Sequence, residues 1–431
     1  MKLDYGKVDL DITLDSKWNV TIFRSTEQKP IENPIEKIRE SINHPIGKIS
    51  LKEIIKKKDS IKSVCIIASD ATRPVPSHLI LEVLITELNV YGISDDLITI
   101  LIATGLHRVS REEELNRILG PNLINKINVI DHVAVDDNSL INLGSTKDNH
   151  PLLINKLYYE ADLKILTGYV EPHFFFGFSG GRKSIVPGIA GADIIQYSHS
   201  AKNIASPFAR FGIYKENPLH KNSIKLSEKV GVDFIVNVCL NEKHEIVQVA
   251  SGDFKKAHEK LVNYQIEHIF REINNPYDIV ICGNGGYPLD LNLYQAVKSM
   301  AIGEIAVKKG GTIISVNECV DGVGIGQDDF KNLIFSGIKP DELYKKILDK
   351  EITLPDQWEI QILTRILMKA DIYVVSSLNK NEIGNIGLKY AKTVEDAISK
   401  CLKKYGSNAS ILILPNGPQV IPLLKDTLNI S

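Results

Sequence analysis

Short apolar runs without polar alternation recur along this chain, and each is followed by a polar or glycine-bearing turn and a helical pattern. In the N-terminal half they occupy residues 63–68, 97–103 and 163–167. Such runs are typical of strands buried on both faces of a parallel sheet. The same scheme continues in the C-terminal half at 278–283, 311–316, 371–376 and 410–415. This alternation predicts α/β domains, each with a largely parallel sheet and helices on both faces.

The length of 431 residues exceeds what one ordinary core holds, so we expect two domains. The break Asn-Asn-Pro-Tyr at 274–277 places the boundary after residue 273. The predicted domains are therefore 1–273 and 274–431, and the prediction allows the last residues to pack back on the first domain. Near the N-terminus, polar and apolar residues alternate at 7–12 and 18–22, which predicts antiparallel strands.

Charge and cysteine content exclude several classes of protein. A net charge of -2 gives no electrostatic reason to expect nucleic acid or a membrane surface as a partner. The 5 cysteines are scattered, which argues against a disulfide scaffold or a cysteine zinc site. The N-terminus has no signal-peptide core, and no window reaches the roughly 18 apolar residues of a membrane span. We therefore expect a cytoplasmic protein.

Polar residues gather in loops that we expect at the carboxyl ends of parallel strands, where open α/β sheets bind ligands. Asp70, Ala71, Thr72 and Arg73 follow the first apolar run and precede a helical pattern. Their backbone N–H groups could hold a phosphate at the helix N-terminus, with Arg73 as a charged donor. The competing interpretation is an ordinary helix N-cap, which the sequence alone favours by about two to one.

Residues 168–200 combine six glycines, an aromatic run, an Arg-Lys pair and two histidines. The glycines predict backbone that turns sharply or lies close to a ligand, so we expect an active-site loop that buries little apolar surface. Residues 179–184 resemble a P-loop, but Arg182 stands where a glycine is required and Pro187 interrupts the expected helix. A phosphotransferase is therefore a minor alternative. Lys183 could instead be a nucleophile or a covalent anchor.

Two further loops supply candidates. His107 follows the strand predicted at 97–103, although a lone loop histidine is more often a surface residue. Gln295 and Lys298 lie three residues apart in a predicted helix and would share one face. A solvated helix face is an equally weighted interpretation of this last pair.

Taken together and in this order, these motifs resemble the nickel-dependent lactate racemases, whose cofactor is a nickel-pincer nucleotide. The similarity covers nearly the whole chain, and each motif is weak alone, whereas the ordered set is highly specific. The matching positions are Asp70-Ala71-Thr72-Arg73, Ala103-Thr104-Gly105-Leu106-His107, Glu171-Pro172-His173, Gly180-Gly181-Arg182-Lys183, Ser198-His199-Ser200 and Tyr294-Gln295 with Lys298.

The resemblance implies roles for residues around the cofactor and an active site in the cleft between the domains. Lys183 would carry pyridinium-3,5-bisthiocarboxylic acid mononucleotide as a thioamide. His199 would be the protein ligand that completes a square plane around nickel. The loop at 70–73 would hold the nucleotide phosphate.

The resemblance also implies the reaction, which is interconversion of D- and L-lactate by hydride transfer to and from the cofactor through transient pyruvate. His107 and His173 would be the acid/base pair. The implied substrate contacts are Arg73, Gln295 and Lys298, with Tyr294 and Trp358 as further candidates. The implied partners are a small 2-hydroxy acid and cofactor-maturation proteins. A racemase or epimerase of another 2-hydroxy acid, and a cofactor-binding protein without enzyme activity, stay open as alternatives.

Overall fold

The computed structural model describes residues 1–146 and 149–425. The strands are β1 (Lys2–Leu3), β2 (Leu10–Asp11), β3 (Asn19–Ile22), β4 (Val64–Ser69), β5 (Ile98–Ala103), β6 (Asn128–Asp131), β7 (Leu140–Ser145), β8 (Pro151–Asn155), β9 (Leu163–Tyr169), β10 (Pro172–His173), β11 (Gly177–Phe178), β12 (Phe234–Leu240), β13 (Ile246–Gly252), β14 (Phe270–Ile273), β15 (Tyr277–Gly283), β16 (Val307–Val316), β17 (Asp371–Val375), β18 (Lys389–Tyr390), β19 (Ser410–Leu414) and β20 (Ile421–Leu424). The helices are α1 (Pro34–Asn43), α2 (Leu51–Lys57), α3 (Ser77–Val90), α4 (Glu112–Leu119), α5 (Lys156–Glu160), α6 (Ala192–Ser198), α7 (Ala201–Ala205), α8 (Pro218–Val230), α9 (Lys256–Ile269), α10 (Leu293–Ala306), α11 (Asp328–Ile334), α12 (Pro340–Leu348), α13 (Gln357–Lys369) and α14 (Val394–Tyr405).

The chain divides into two compact units. Unit 1 contains Met1–Thr26, Ala201–Phe211 and the described residues from Ile269 onward, and unit 2 contains Glu27–Ser200 and Gly212–His268. The predicted boundary after residue 273 lies close to Ile269, whereas the first 26 residues and Ala201–Phe211 differ from the prediction by grouping with unit 1. Residues 426–431, at the end whose packing the prediction left open, lie outside the described residues.

Unit 2 is built on a six-stranded sheet of order β13-β12-β9-β4-β5-β6. Its strands are parallel except for the antiparallel pair β12–β13. The apolar runs form the buried core of this sheet, for example through Ile66, Ile100 and Ile165, which are all 0% exposed. The predicted parallel α/β sheet is therefore confirmed. Because β9, β4 and β5 are adjacent and parallel, the loops that follow them begin at one edge of the sheet.

Unit 1 contains a second six-stranded sheet, of order β18-β17-β16-β15-β19-β3, in which every neighbouring pair is parallel. The antiparallel strand predicted at 7–12 is confirmed in part by β2, which pairs with β1, whereas the antiparallel direction predicted at 18–22 is wrong for β3. Strand β3 pairs in parallel with β19, from Asn19 opposite Ser410 to Ile22 opposite Ile413. Its alternating sequence arises because β3 is an edge strand with partly exposed residues, and edge exposure does not depend on strand direction.

Within the described residues, no helix is both long and apolar enough to cross a membrane.

Candidate active site

Residues 168–200 form a packed segment, which corrects the prediction of an open loop with little buried apolar surface. The segment contains the hairpin β10–β11, a 3-10 turn at Gly181–Ser184 and α6. Phe176 and Phe178 are both 0% exposed. The first α-helix after the turn begins only at Ala192, so the helix that a P-loop requires directly after its lysine is missing. The phosphotransferase alternative therefore loses its structural basis.

Two glycines of this segment lie in close main-chain contacts within the protein, which fits the predicted sharp turns, and the predicted closeness to a ligand stays a prediction. A Cβ atom on Gly177 would lie 2.0 Å from the Ile213 carbonyl oxygen. On Gly188 it would lie 2.3 Å from the Ser184 carbonyl oxygen. Gly177 also has a φ of +78°, a conformation that side-chain-bearing residues rarely adopt. These glycines let the chain pack against itself behind the site.

We expect Gly177→Ala to destabilise unit 2 strongly, because the added methyl group meets fixed backbone. Gly92→Ala is the matched control, since Gly92 has a φ of +91° but open space where a Cβ would stand. The control should lose about 1 kcal/mol from the backbone conformation alone. Gly177→Ala should lose about 2 kcal/mol more from the clash. Urea unfolding of both variants measures the difference, and equal losses would contradict the packing role of Gly177.

Arg182 organises the turn that carries Lys183. Its side chain is 0% exposed, its Nη1 donates to the carbonyls of Ser179 and Gly180, and its Nη2 donates to the Phe176 carbonyl. Burial lowers the pKa of this guanidinium to about 10, so it remains a cation at neutral pH. Three carbonyls held by one planar cation fix the backbone directly before Lys183.

Phe175 and Phe176 connect three of the predicted site residues. The Lys183 Nζ lies 4.2 Å from the centroid of the Phe176 ring. The His173 and His199 rings meet the Phe175 ring edge-on, at centroid distances of 4.6 Å and 5.2 Å. Both phenylalanines are buried, so they form a rigid apolar support for an amine and two imidazoles. The structure therefore brings His173, Lys183 and His199 together.

His199 has the properties of a neutral, oriented imidazole at the C-terminal end of α6. Its Nδ1 is 2.9 Å from the Ile195 carbonyl oxygen, so Nδ1 carries the proton and Nε2 carries the lone pair. Burial lowers the pKa of His199 to about 3, and the positive charge of Lys183 acts in the same direction. An imidazole whose second nitrogen donates to a carbonyl is the usual form of a histidine metal ligand. Across residues 1–146 and 149–425, no cluster of three or more His, Cys, Asp or Glu side chains is arranged to hold a metal ion.

His107 pairs with Asp70, and this contact replaces the helix cap considered for Asp70. The His107 Nδ1 lies 2.6 Å from Asp70 Oδ2, and the Thr72 hydroxyl donates to Asp70 Oδ1 at 2.7 Å. Helix α3 begins at Ser77 after Pro76, without a side-chain cap, so the N-cap interpretation is wrong. Burial opposes ionisation of Asp70, but the hydrogen bonds from His107 and Thr72 keep its pKa below the ordinary value. Asp70 is therefore a carboxylate that orients His107.

Arg73 lies in the same loop and is held as a cation. Burial works against its charge, but nearby Tyr169, Glu171 and Asp70 raise its pKa above the ordinary value. The Ala71 carbonyl accepts a hydrogen bond from the side chain of Arg117. A charged guanidinium at the edge of a parallel sheet is suited to a carboxylate or a phosphate.

Main-chain hydrogen bonds join the His107 loop to the segment that carries Lys183. The Gly105 N–H donates to the Gly188 carbonyl at 3.0 Å, and the Gly188 N–H donates to the Lys183 carbonyl at 3.0 Å. In addition, the Ser184 hydroxyl donates to the carbonyl of Thr167 on β9. The loops after β4, β5 and β9 and the turn at Gly181–Ser184 thus form one connected group in unit 2.

Unit 1 holds the remaining predicted residues in a second group on α10 and α13. Lys298 Nζ donates to Gln295 Oε1 at 2.5 Å, so the two side chains share a helix face as predicted. The Tyr294 hydroxyl is hydrogen-bonded to Trp358, and its ring meets the Phe330 ring edge-on at 5.3 Å. An ammonium, an amide, a phenol and an indole are therefore close together.

Two features of these groups escaped the sequence-based interpretation. The first is the pairing of Asp70 with His107, which the adjacency of the two predicted strands could have indicated, because Ser69 stands opposite Ala103. The second is Glu359, a carboxylate that is only 1% exposed and that follows Trp358 directly. The apolar residues near Glu359 in the sequence weakly indicate that it is buried, but they do not indicate which residues of α10 it lies beside.

Comparison with known proteins assigns both parts of the chain to one family. Residues 5–212 match the profile of the lactate racemase N-terminal domain, and residues 273–422 match that of the lactate racemase C-terminal domain. The chain belongs to the lactate racemase family. The resemblance inferred from the motifs is confirmed, and the protein is an isomerase of the racemase type.

Individual members of the lactate racemase family resemble the chain over most of their length. This chain is 37% identical to a lactate racemase of Thermoanaerobacterium thermosaccharolyticum over 426 residues, and the alignment covers 98% of each of the two chains. This chain is also 39% identical to a lactate racemase of Lactiplantibacillus plantarum over 388 residues, and that alignment covers 90% of each chain. The solved structure of the Thermoanaerobacterium thermosaccharolyticum lactate racemase apoprotein matches with a TM-score of 0.91 at 36% identity, over 98% of this chain and 99% of that one.

A more distant solved structure shares the fold alone. A Thermotoga maritima protein matches with a TM-score of 0.64 at 21% identity, over 91% of this chain and 98% of that one.

Proposed function

We propose that this protein is a lactate racemase that interconverts D- and L-lactate with a nickel-pincer nucleotide bound covalently to Lys183. The observation that supports this best is the placement of two histidines relative to Arg73. His107 follows β5, and His173 lies in β10, the strand after β9 in the chain. In the sheet, β5 and β9 flank β4, and the loop after β4 carries Arg73. A substrate held through its carboxylate at Arg73 would have an imidazole available from either side. Two enantiomers need proton exchange from opposite sides, so such a pair suits racemisation.

The residues of unit 2 fit the proposed cofactor. Lys183 supplies an amine on a turn that Arg182 fixes, and His199 supplies an imidazole whose Nε2 is the unprotonated nitrogen. Square-planar Ni(II) accepts an imidazole nitrogen as a fourth ligand. The backbone at Ala71 and Thr72, together with Arg73, would bind the nucleotide phosphate. The chemistry that this cofactor would supply, when bound, is that of a hydride acceptor and donor for the substrate Cα.

His107 is the residue whose proton chemistry the geometry defines most clearly. Its Nδ1–H donates to Asp70, so its Nε2 is the atom that would take a proton from the lactate hydroxyl. The carboxylate of Asp70 stabilises the imidazolium that forms. His173 is oriented differently, because its Nδ1 accepts the Phe176 N–H at 3.3 Å, so in the neutral ring Nε2 carries the proton and would donate it to a substrate oxygen.

The substrate would be a small 2-hydroxy acid bound by cations and amides. Arg73 would pair with its carboxylate, and Gln295 and Lys298 would contact its oxygens, with Tyr294 and Trp358 nearby. The proposed protein partners are those that make and insert the cofactor.

Chiral product analysis tests the proposed activity. Protein produced together with cofactor-maturation proteins should convert either pure enantiomer of lactate to the racemate. The same preparation should be assayed on malate and on larger 2-hydroxy acids. Faster turnover of one of these acids than of lactate would show that this acid, and not lactate, is the substrate. Nickel retention without turnover of any of them would refute the enzymatic proposal.

We expect His199→Ala to lower the nickel content while the fold and the adduct on Lys183 persist. The reason is that the imidazole Nε2 is the only protein ligand proposed for the metal. His44→Ala is the control, because His44 is an exposed histidine at the end of α1. Metal analysis after gel filtration measures bound nickel per chain, and thermal unfolding checks the fold. Parental nickel content with normal turnover in His199→Ala would contradict the ligand role.

A further inference from the structure

Glu359 is a buried carboxyl group at the edge of the residue group in unit 1. It lies in the first turn of α13 and is 1% exposed. Its Oε1 has no hydrogen-bond partner among the described residues. A buried carboxylate in this state is unfavourable unless a nearby cation compensates its charge or a proton neutralises it.

The charged and titratable groups that act on Glu359 are few among the described residues. Lys298 on α10 attracts its negative charge, Asp356 directly before α13 repels it, and Tyr294 on α10 faces it as a buried phenol. The remaining polar neighbours are uncharged, because Gln295 and Trp358 carry an amide and an indole. Lys298 is therefore the one compensating cation in this set.

We propose that Glu359 is a positioning residue that couples a proton to the binding of an anionic substrate in contact with Lys298. This rests on the proposed role of Lys298 as a substrate contact. An anion at Lys298 neutralises the cation that Glu359 needs, and it places a second negative charge nearby. Glu359 then binds a proton, so Lys298 is available to the substrate and is not held by the carboxylate of its own protein.

The direction of the pH effect follows from burial. Burial raises the pKa of Glu359 to about 8, with Lys298 acting in the opposite direction and Asp356 in the same direction. Below this pH the carboxyl is neutral and does not compete with the substrate for Lys298. Above it, Glu359 ionises and competes with the substrate for Lys298. The affinity for lactate should therefore fall as the pH rises through about 8.

Steady-state kinetics of the cofactor-loaded enzyme on L-lactate between pH 6.5 and 9.5 test this coupling. We expect KM to rise about tenfold for one pH unit above the pKa of Glu359, with a much smaller change in kcat. Glu359→Gln, which imitates the protonated acid, should show KM values near the neutral-pH value of the parent throughout. An unchanged alkaline rise in Glu359→Gln would overturn the proposal.

Two further variants separate this effect from a general one. Asp356→Asn removes a repelling charge, so it should lower the pKa of Glu359 and start the rise in KM at a lower pH. Glu87→Gln changes a buried carboxylate in unit 2 that binds Arg39 and Tyr91, and it should keep the parental profile. A profile that does not move in Asp356→Asn would count against the coupling.

Calorimetric binding of L-lactate to the full-length chain gives a result that does not depend on turnover. Titrations between pH 7 and 9 in buffers of different ionisation enthalpy should show proton uptake on lactate binding that grows with pH, and none in Glu359→Gln. Binding without proton uptake overturns the coupling, whether or not the enzyme racemises lactate. Proton-coupled binding without racemisation supports the coupling and removes the proposed activity. A failure to bind lactate at all overturns both.

Discussion

Replacing Lys183 with alanine is expected to abolish both the covalent adduct and racemisation. The Lys183 amine lies against Phe176, and Arg182 holds three carbonyls of the backbone directly before Lys183, so the position of the amine is specified by the fold. Another lysine would not present its amine from this backbone. Intact-mass measurement of protein made with the maturation proteins should show a nucleotide-sized adduct on the parent and none on Lys183→Ala.

The control for this experiment is Lys215→Ala, which removes an exposed lysine of unit 2. It should keep the adduct and the parental turnover. Peptide mapping of the parent then locates the modification. An adduct on a different lysine, or racemisation by Lys183→Ala at the parental rate, would show that the attachment site has been assigned wrongly.

Replacing His107 with glutamine is expected to slow racemisation about 100-fold or more in both directions, with the adduct retained. Both directions are affected because each full conversion needs both histidines. Asp70→Asn should also be slow, since an amide opposite His107 Nδ1 favours the wrong tautomer and no longer stabilises the imidazolium. Initial rates from pure D- and pure L-lactate measure the effect.

The combined variant is the sharper test of how Asp70 acts. If Asp70 works through His107, adding Asp70→Asn to His107→Gln should cause little further loss. Asp131→Asn is the control, because Asp131 is another carboxylate at the end of a neighbouring strand, β6, and binds Ser110. If the rate loss of the double variant equals the product of the two single losses, Asp70 has a role separate from His107.

Most strands of the two sheets could be predicted because strands that are buried on both faces are continuous apolar runs in the sequence. β4, β5 and β15 were recognisable on these grounds. The direction of β3 was not, because alternation reports that one face is exposed and says nothing about which way the partner runs. Its partner, β19, is remote in sequence, so no local pattern could have indicated the parallel pairing.

The sequence suggested which residue types make up the candidate site, but it did not indicate most of the contacts between them. The glycines near Lys183 marked an unusual backbone correctly, but sequence could not distinguish space for a ligand from close contact with Ile213. From sequence alone a helix cap was the favoured interpretation of Asp70, because only the tertiary structure brings His107 to it. Glu359 carried no motif at all. In each case the missing information was which distant segment fills the neighbouring space.

The placement of β3 in the unit 1 sheet has a consequence for how the chain is made. A ribosome releases Asn19 long before Ser410, its partner in the sheet, and at ordinary rates the interval is on the order of tens of seconds. All of unit 2 is synthesised within that interval, since its last residue is His268. The sheet of unit 1 therefore reaches its full width only after β19 has been synthesised. Until then β3 is a nascent edge strand without its neighbour, and its span of 4 residues limits the surface it offers to other chains.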